Sequence, residues 1–239
     1  KYTKDRNNEK GSMSLTLEAE NLSKSYIDGA RKLLVLDNIK LEVSKSEIIV
    51  IKGPSGAGKT TLLNILNTLD SADRGSLKIN GRIINQTDSY LIYKIRSEDI
   101  GILYQDSNLL EEFSTLENLK LPFSLFDDIA HYDPEKLLEK FNLNDKINKY
   151  PSELSGGERQ RIALIRAIIN KPSIVFADEP TGNLDNKNVH IMIELIRDLT
   201  INYKTSFIIT THDERLCDIA HKILEIKDCK LELIKKRKK

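Results

Sequence analysis

The chain has 239 residues, 39% hydrophobic and 31% charged, a composition that fits a soluble globular protein of one large domain or two small ones. Its 37 basic and 36 acidic residues leave a net charge of +1, so no overall field draws it to nucleic acid. Cys217 and Cys229 are too few for a disulfide framework and lack metal-ligand spacing, and apolar runs such as 48–51 and 207–209 fall far short of the roughly 20 residues a membrane span needs.

The stretch KYTKDRNNEKGS, preceding Met13, is polar and lacks an apolar h-region, so residues 1–13 read as a disordered leader or a remnant outside the fold. Residues 15–19, 41–43 and 77–79 have the short alternation of a partly exposed antiparallel sheet. Residues 47–52, 173–178 and 205–210 are more continuously apolar, as strands buried on both faces are. Each adjoins a helical pattern, which indicates crossover units and a parallel sheet. The segment from about 115 to 172 differs: 138–143 and 158–170 have helical spacing with no convincing strand between them. It reads as a helical subdomain, spanning about 107–172, inserted between two parts of an α/β core.

Three motifs carry chemistry. Gly53, Pro54, Ser55, Gly56, Ala57, Gly58, Lys59 and Thr60 satisfy the phosphate-loop pattern G-x-x-x-x-G-K-[ST]. They lie between a buried strand and a helix over 60–69, with Leu62, Leu63, Leu66 and Leu69 facing inward. The glycines let successive N–H groups converge on phosphate oxygens at the helix N-terminus. Lys59 is placed to reach the β- and γ-phosphates and the Thr60 hydroxyl to ligate Mg²⁺, with Thr61 completing the ATP-binding run.

The second motif is Leu-Ser-Gly-Gly-Glu-Arg-Gln-Arg at 154–161. Ser155 and Glu158 form a capping box, but capping does not explain Gly156 and Gly157 in the first turn. There each glycine costs up to about 1 kcal/mol relative to alanine. Two missing side chains would open the helix N-terminus to close approach by an anion. The third motif is an apolar strand ending in Asp178 and Glu179.

LSGGERQR resembles the signature motif of ATP-binding-cassette ATPases, and the three motifs stand in that family's order. The resemblance implies a head-to-tail homodimer in which the signature of one subunit faces the phosphate loop of the other across ATP. It implies that Asp178 holds Mg²⁺ through water and that Glu179 is the catalytic base polarising the attacking water. Gly182-Asn183-Leu184-Asp185 is similar to the D-loop that crosses the dimer interface. His212, in TTHD, resembles the switch histidine that contacts the γ-phosphate. Gln105, in ILYQD, resembles the Q-loop glutamine that senses Mg²⁺ and couples to a membrane partner. Tyr26, in KSYIDG, either matches the aromatic that stacks on adenine or is an ordinary strand tyrosine.

The run SELSGGERQRIA…ADEPTGNLD, with NLLEEFSTLENLKLPF upstream, is similar to the lipoprotein-release, macrolide- and peptide-efflux and cell-division ATPases. Glu158, where many relatives carry glutamine, agrees with that branch; Thr60 for serine and Tyr104 for phenylalanine are mild departures. The expected fold is α/β: a P-loop NTPase core with a parallel sheet, an antiparallel β subdomain and the inserted helical subdomain, together one nucleotide-binding domain over 14–234. The basic run 235–239 reads as a solvated end or as a contact with an anionic membrane surface. The expected function is ATP hydrolysis powering export or extraction through a separate integral membrane permease. The chain would then sit in the cytoplasm on the inner face of the membrane, with residues 113–126 docking that partner and no nucleic acid bound. A cassette acting on ribosomes or DNA would usually carry paired cassettes or a coiled-coil insertion. A binding-only regulator would not keep Lys59, Asp178, Glu179 and His212 together.

Overall fold

A computed structural model describes residues 15–29, 31–124 and 129–237; the expected leader, 1–13, lies outside the described residues. In chain order these form β1 (Leu15–Asp28), β2 (Arg31–Ser44), β3 (Ile48–Lys52), α1 (Lys59–Leu66), β4 (Arg74–Ile79), β5 (Arg82–Ile83), α2 (Ser89–Glu98) and β6 (Ile100–Leu103). There follow α3 (Thr115–Ser124), α4 (Pro134–Lys140), α5 (Gly156–Ile168), β7 (Ile174–Asp178), α6 (Asn186–Asn202), β8 (Ser206–Thr210), α7 (Glu214–Cys217), β9 (Lys222–Lys227) and β10 (Lys230–Lys236).

The strands divide into two sheets. An antiparallel sheet has the order β2-β1-β4-β5, and a larger one has the order β10-β9-β3-β8-β7-β6, parallel except for β10. The parallel strands show why their sequences are continuously apolar. On β3, Ile48 and Val50 enter the core shared with the helical side, while Ile49 and Ile51 enter the core beneath the antiparallel sheet. β7 divides Val175 and Ala177 from Ile174 and Phe176 in the same way, with the period of two a strand dictates.

Several elements depart from the sequence expectations. β1 and β2 are 14 residues each, longer than the short strands expected, because the hairpin continues through register shifts into an outer half with Ile27, Leu33 and Leu34 exposed. Successive residues there, Tyr26 and Ile27, Leu33 and Leu34, are exposed on both faces, so no apolar alternation marks that half. α1 stops at Leu66: Asn67 caps it, Thr68 takes φ 68°, and Leu69 is 45% exposed rather than inward. Between 107 and 172 the described residues contain helices and two short 3₁₀ turns, Asn144–Lys146 and Pro151–Glu153, and no strand. The basic run does not begin as a free tail. Lys235 and Lys236 pair with β9, and the Arg237 N–H donates to the His221 carbonyl at 2.8 Å; residues 238–239 lie outside the described residues.

Candidate functional site

Adjacency in the parallel sheet brings the motifs together. β3, β8, β7 and β6 are successive neighbours, so the turns leaving their C-terminal ends form one edge, where α/β sheets bind ligands. From β3 comes the phosphate loop, from β8 the turn at His212, from β7 the Asp178–Glu179 pair, and from β6 the turn at Gln105.

The loop 53–58 needs its glycines. Gly56 and Gly58 have φ of 78° and 96°, in the left-handed region that a Cβ disfavours. A Cβ on Gly58 would also lie 2.8 Å from Val35. Gly58 is the N-cap of α1 and supplies no side-chain cap, so the amides of the first turn are left for an external acceptor. The Lys59 Nζ donates to the Gly53 and Pro54 carbonyls at 2.7 and 3.1 Å and lies 3.2 Å from His212 Nε2.

At the end of β7, the Thr60 hydroxyl donates to Asp178 Oδ2 at 3.1 Å, and the Thr210 hydroxyl donates to Asp178 Oδ1. One hydroxyl beside one carboxylate fits Mg²⁺, which keeps several waters and draws its remaining ligands from phosphate oxygens. Glu179 has φ 45°, rare for a non-glycine residue and of the kind found at functional sites. Surrounding bonds hold it there: its N–H donates to the Thr210 carbonyl at 2.9 Å. Its Oε2 accepts from the Thr211 hydroxyl at 3.1 Å and the His212 N–H at 3.2 Å. His212 Nε2 stands 3.5 Å from Glu179 Oε1, so the ring lies between the carboxylate and the Lys59 ammonium.

The His212 turn is itself braced. Asp213 accepts from the Thr181 hydroxyl at 3.1 Å and from two nitrogens of the Arg215 fork, each at 2.8 Å, while Arg215 also donates to Asn186 Oδ1 at 2.9 Å. The Arg215 bonds hold the Asp213 carboxyl below the usual carboxylate range, though its burial works the other way.

The N-terminus of α5 confirms one expectation and corrects another. The capping box is present: the Ser155 hydroxyl and N–H both donate to Glu158 Oε2 at 2.8 Å, and the Glu158 N–H reaches back to Ser155 Oγ at 3.3 Å. Burial alone would raise the Glu158 pKa, but the bonds from Ser155 and from Lys146 bring it below the usual range. Gly156 is open, its nearest neighbour 4.0 Å from where a Cβ would stand. Gly157 is not open to an anion. Its Cβ would fall 2.2 Å from the Asn188 side chain, so any side chain there would have to push Asn188 off its bonds to Asp185. Asp185, the last residue of the D-loop resemblance, is the N-cap of α6, accepting from the Asn188 N–H at 2.8 Å and from the Asn188 amide at 3.0 and 3.1 Å.

Gln105 is not brought to the Thr60–Asp178 pair. Its amide faces Asn183 Oδ1 at 3.5 Å, and it borders Gly182, so it links β6 to the turn after Glu179. The geometry of α5 explains this placement. Gln160, only 3% exposed, donates to the Tyr104 carbonyl at 2.7 Å, and Arg166 donates to the Ser107 and Asn108 carbonyls at 2.9 and 2.7 Å. These anchors escaped the sequence reading. The available signal was a polar residue, Gln160, on the buried stripe of α5. Tyr26, on the outer half of β1, is 42% exposed, with its hydroxyl near Thr61 in the first turn of α1 and donating to Asp70 Oδ2 at 2.8 Å.

Comparison with known proteins agrees with this geometry. Residues 36–182 match the family described as ABC transporter. The chain is 46% identical over 207 residues to the lipoprotein-releasing system ATP-binding protein LolD of Buchnera aphidicola, covering 85% of this chain and 90% of that protein. With LolD of Shewanella oneidensis the identity is 42% over 220 residues, covering 91% and 96%. A solved dimeric structure of the ATP-binding cassette MJ0796, in a post-hydrolysis state bound to ADP and Pi, superposes with a TM-score of 0.84. It is 31% identical, covering 93% of this chain and 100% of that one.

Proposed function

The chain belongs to the ABC transporter family as an ATP-binding and ATP-hydrolysing cassette, the ATPase subunit of a transporter, and on that premise we propose that it powers a separate membrane permease releasing or exporting lipoproteins. The lipoprotein assignment is supported by the lipoprotein-releasing relatives, which match along nearly their whole length. Attachment through a partner agrees with the absence, among the described residues, of any helix long and apolar enough to cross a membrane.

The observation that carries the mechanism is the convergence of Lys59, His212 and Glu179 beside the Thr60–Asp178 pair. In our reading the loop amides and Lys59 hold the β- and γ-phosphates. Thr60, and Asp178 through water, would hold Mg²⁺, which would supply positive charge to offset that of the phosphates. Glu179 orients a water whose oxygen bonds to the γ-phosphorus, takes its proton, and the bond to the β–γ bridging oxygen breaks with ADP leaving. His212, between Glu179 and Lys59, contacts the γ-phosphoryl group as charge spreads over its oxygens. A second copy, head to tail, presents the open end at Ser155 and Gly156 to that same phosphate.

For the permease contact we infer a cleft of 530 Å³ lined by Tyr93 and Arg96 of α2, Gly101 and Ile102 of β6, Pro122 of α3 and Arg166 of α5. It adjoins β6, which leads into the turn at Gln105, so pressure there would act on that turn. The segment 113–126 contributes through Pro122; its Leu119 is buried, Phe113, Leu116 and Phe123 are half-buried, and Phe126 lies outside the described residues. Phosphate release from MgATP by the purified chain, with co-purification of an integral membrane protein, tests this reading. Hydrolysis without any membrane partner from its own cells would overturn the permease assignment.

A further inference from the structure

We propose that Lys24 and Asp70 are positioning residues that fix the ring of Tyr26 as the platform for the nucleobase, an inference that rests on reading the chain as an ATP-binding cassette. Tyr26 sits on the exposed outer half of β1, where an unsupported ring would sample several rotamers and lose that freedom on stacking. Here it is held from two sides. Its hydroxyl donates to Asp70 Oδ2 at 2.8 Å, and the Lys24 ammonium lies over the ring, 5.1 Å from its centre. The ammonium covers one face, which leaves the opposite face for a base. A cation also draws electron density from the ring, favouring contact with an electron-rich purine.

Lys24 is unusual for a strand lysine, being only 8% exposed. A desolvated ammonium needs partners, and it has two: Asp70 Oδ1 at 2.8 Å and the Ser71 carbonyl at 2.7 Å. Asp70 thereby receives charge-assisted bonds on both oxygens, plus the Ser71 N–H at 2.7 Å. Burial would raise its pKa, yet the bonds from Lys24, Tyr26 and Ser71 bring it below the usual carboxylate range, so the acceptor is ionised at neutral pH.

The turn that carries Asp70 ties the platform to the phosphate loop. The Asp70 N–H donates to the Asn64 carbonyl at 2.9 Å, fastening it to α1, whose first turn follows the glycines. Asp73 accepts from the Ser25 N–H at 2.9 Å and its own N–H donates to the Ser23 carbonyl at 2.8 Å, lacing the same turn to β1. The base platform and the phosphate cradle are therefore referenced to one helix.

The test compares ATP with inorganic triphosphate, which has phosphates but no base, by calorimetry on the full chain. Asp70→Asn and Tyr26→Phe should each weaken ATP about fivefold, as expected for losing a hydrogen bond to a charged group, while triphosphate affinity stays within about twofold. The double variant should be no weaker than the worse single one, because both act through one contact. Should Asp70→Asn melt early, Tyr26→Phe and Lys24→Gln carry the same comparison. Unchanged ATP affinity in Asp70→Asn, or equal loss for triphosphate, overturns the positioning role. Tyr26→Ala without effect on ATP would instead overturn the platform itself, and no ATP binding by the wild type would overturn the reading beneath both.

Discussion

Replacing Glu179 with glutamine separates chemistry from folding at this site. The variant keeps the backbone at φ 45°, so whatever strain that conformation stores is unchanged. A glutamine oxygen can still accept from the Thr211 hydroxyl and the His212 N–H, which now reach Glu179 Oε2 at 3.1 and 3.2 Å. Exchanging a charged for a neutral acceptor loses about 1 kcal/mol. Against a typical stability of about 5–15 kcal/mol the chain stays folded. Turnover is another matter, because an amide cannot take the proton of an attacking water. Removing a general base lowers rate by about 10²- to 10⁴-fold, equivalent to about 3–5 kcal/mol in the barrier. Phosphate release should fall by that factor while nucleotide binding persists, and size-exclusion chromatography with MgATP should show an accumulated dimer. Turnover within about tenfold of wild type, with the fold intact, would remove Glu179 from the role of base.

Lys59→Ala should abolish binding of micromolar ATP with an unchanged circular dichroism spectrum, since Lys59 is the cation among the loop residues and otherwise touches only two carbonyls and His212; retained affinity would contradict the assignment. Gly157→Ala should lower the melting temperature by about 2–10 °C, because its methyl would meet Asn188 at 2.2 Å, whereas Gly156→Ala, with 4.0 Å of clearance, should melt at wild-type temperature or up to about 4 °C above it. Equal melting of the two would refute the packing account of Gly157. Ser155→Arg should spare ATP binding by the isolated chain yet block dimerisation and hydrolysis. Mixing it with Lys59→Ala should restore activity, because one site of each mixed dimer joins an intact loop to an intact signature. No recovery, with mixed dimers shown to form, would count against a shared site.

Much of this arrangement could be read from the residues because its elements obey strong local rules. Glycines at 53, 56 and 58 followed by Lys59-Thr60 admit few structures, and the apolar strands at 48–52 and 174–178 announce a sheet buried on both faces. What stayed hidden depends on contacts between distant segments. Nothing in the local sequence says that Asn188 packs where a Gly157 side chain would stand, or that Asp185 caps α6. The end of α1 was misplaced because Leu69 continues the helical spacing. Only Thr68 at φ 68° breaks the chain away, and a threonine does not advertise that conformation as glycine would. The resemblance names Gln105 as a magnesium sensor but carries no sign that Gln160 and Arg166 hold its loop against α5, with its amide facing Asn183.

The same contacts argue that the two phosphate surfaces of one chain cannot serve one nucleotide. α5 lies directly on β6, since a Cβ on Gly101 of that strand would meet the Ala167 carbonyl oxygen at 2.1 Å. Between β6 and β3 stand β7 and β8, so the two edges are three strand spacings apart, about 14 Å. A hydrogen bond spans about 3 Å. Gly156 borders Gln105 and Gln160 at the β6 turn, so its amides stand on the β6 side of that edge rather than beside the Lys59 loop at the end of β3, and α5 is pinned to the Gln105 loop through Gln160 and Arg166. Swinging α5 across the sheet would break those bonds. An open, capped helix end in this position finds its anion most cheaply on another molecule, and a head-to-tail pair supplies one to each copy. In the proposed head-to-tail pair, the Gln160 and Arg166 contacts would keep the α5 end and the Gln105 turn together as one body.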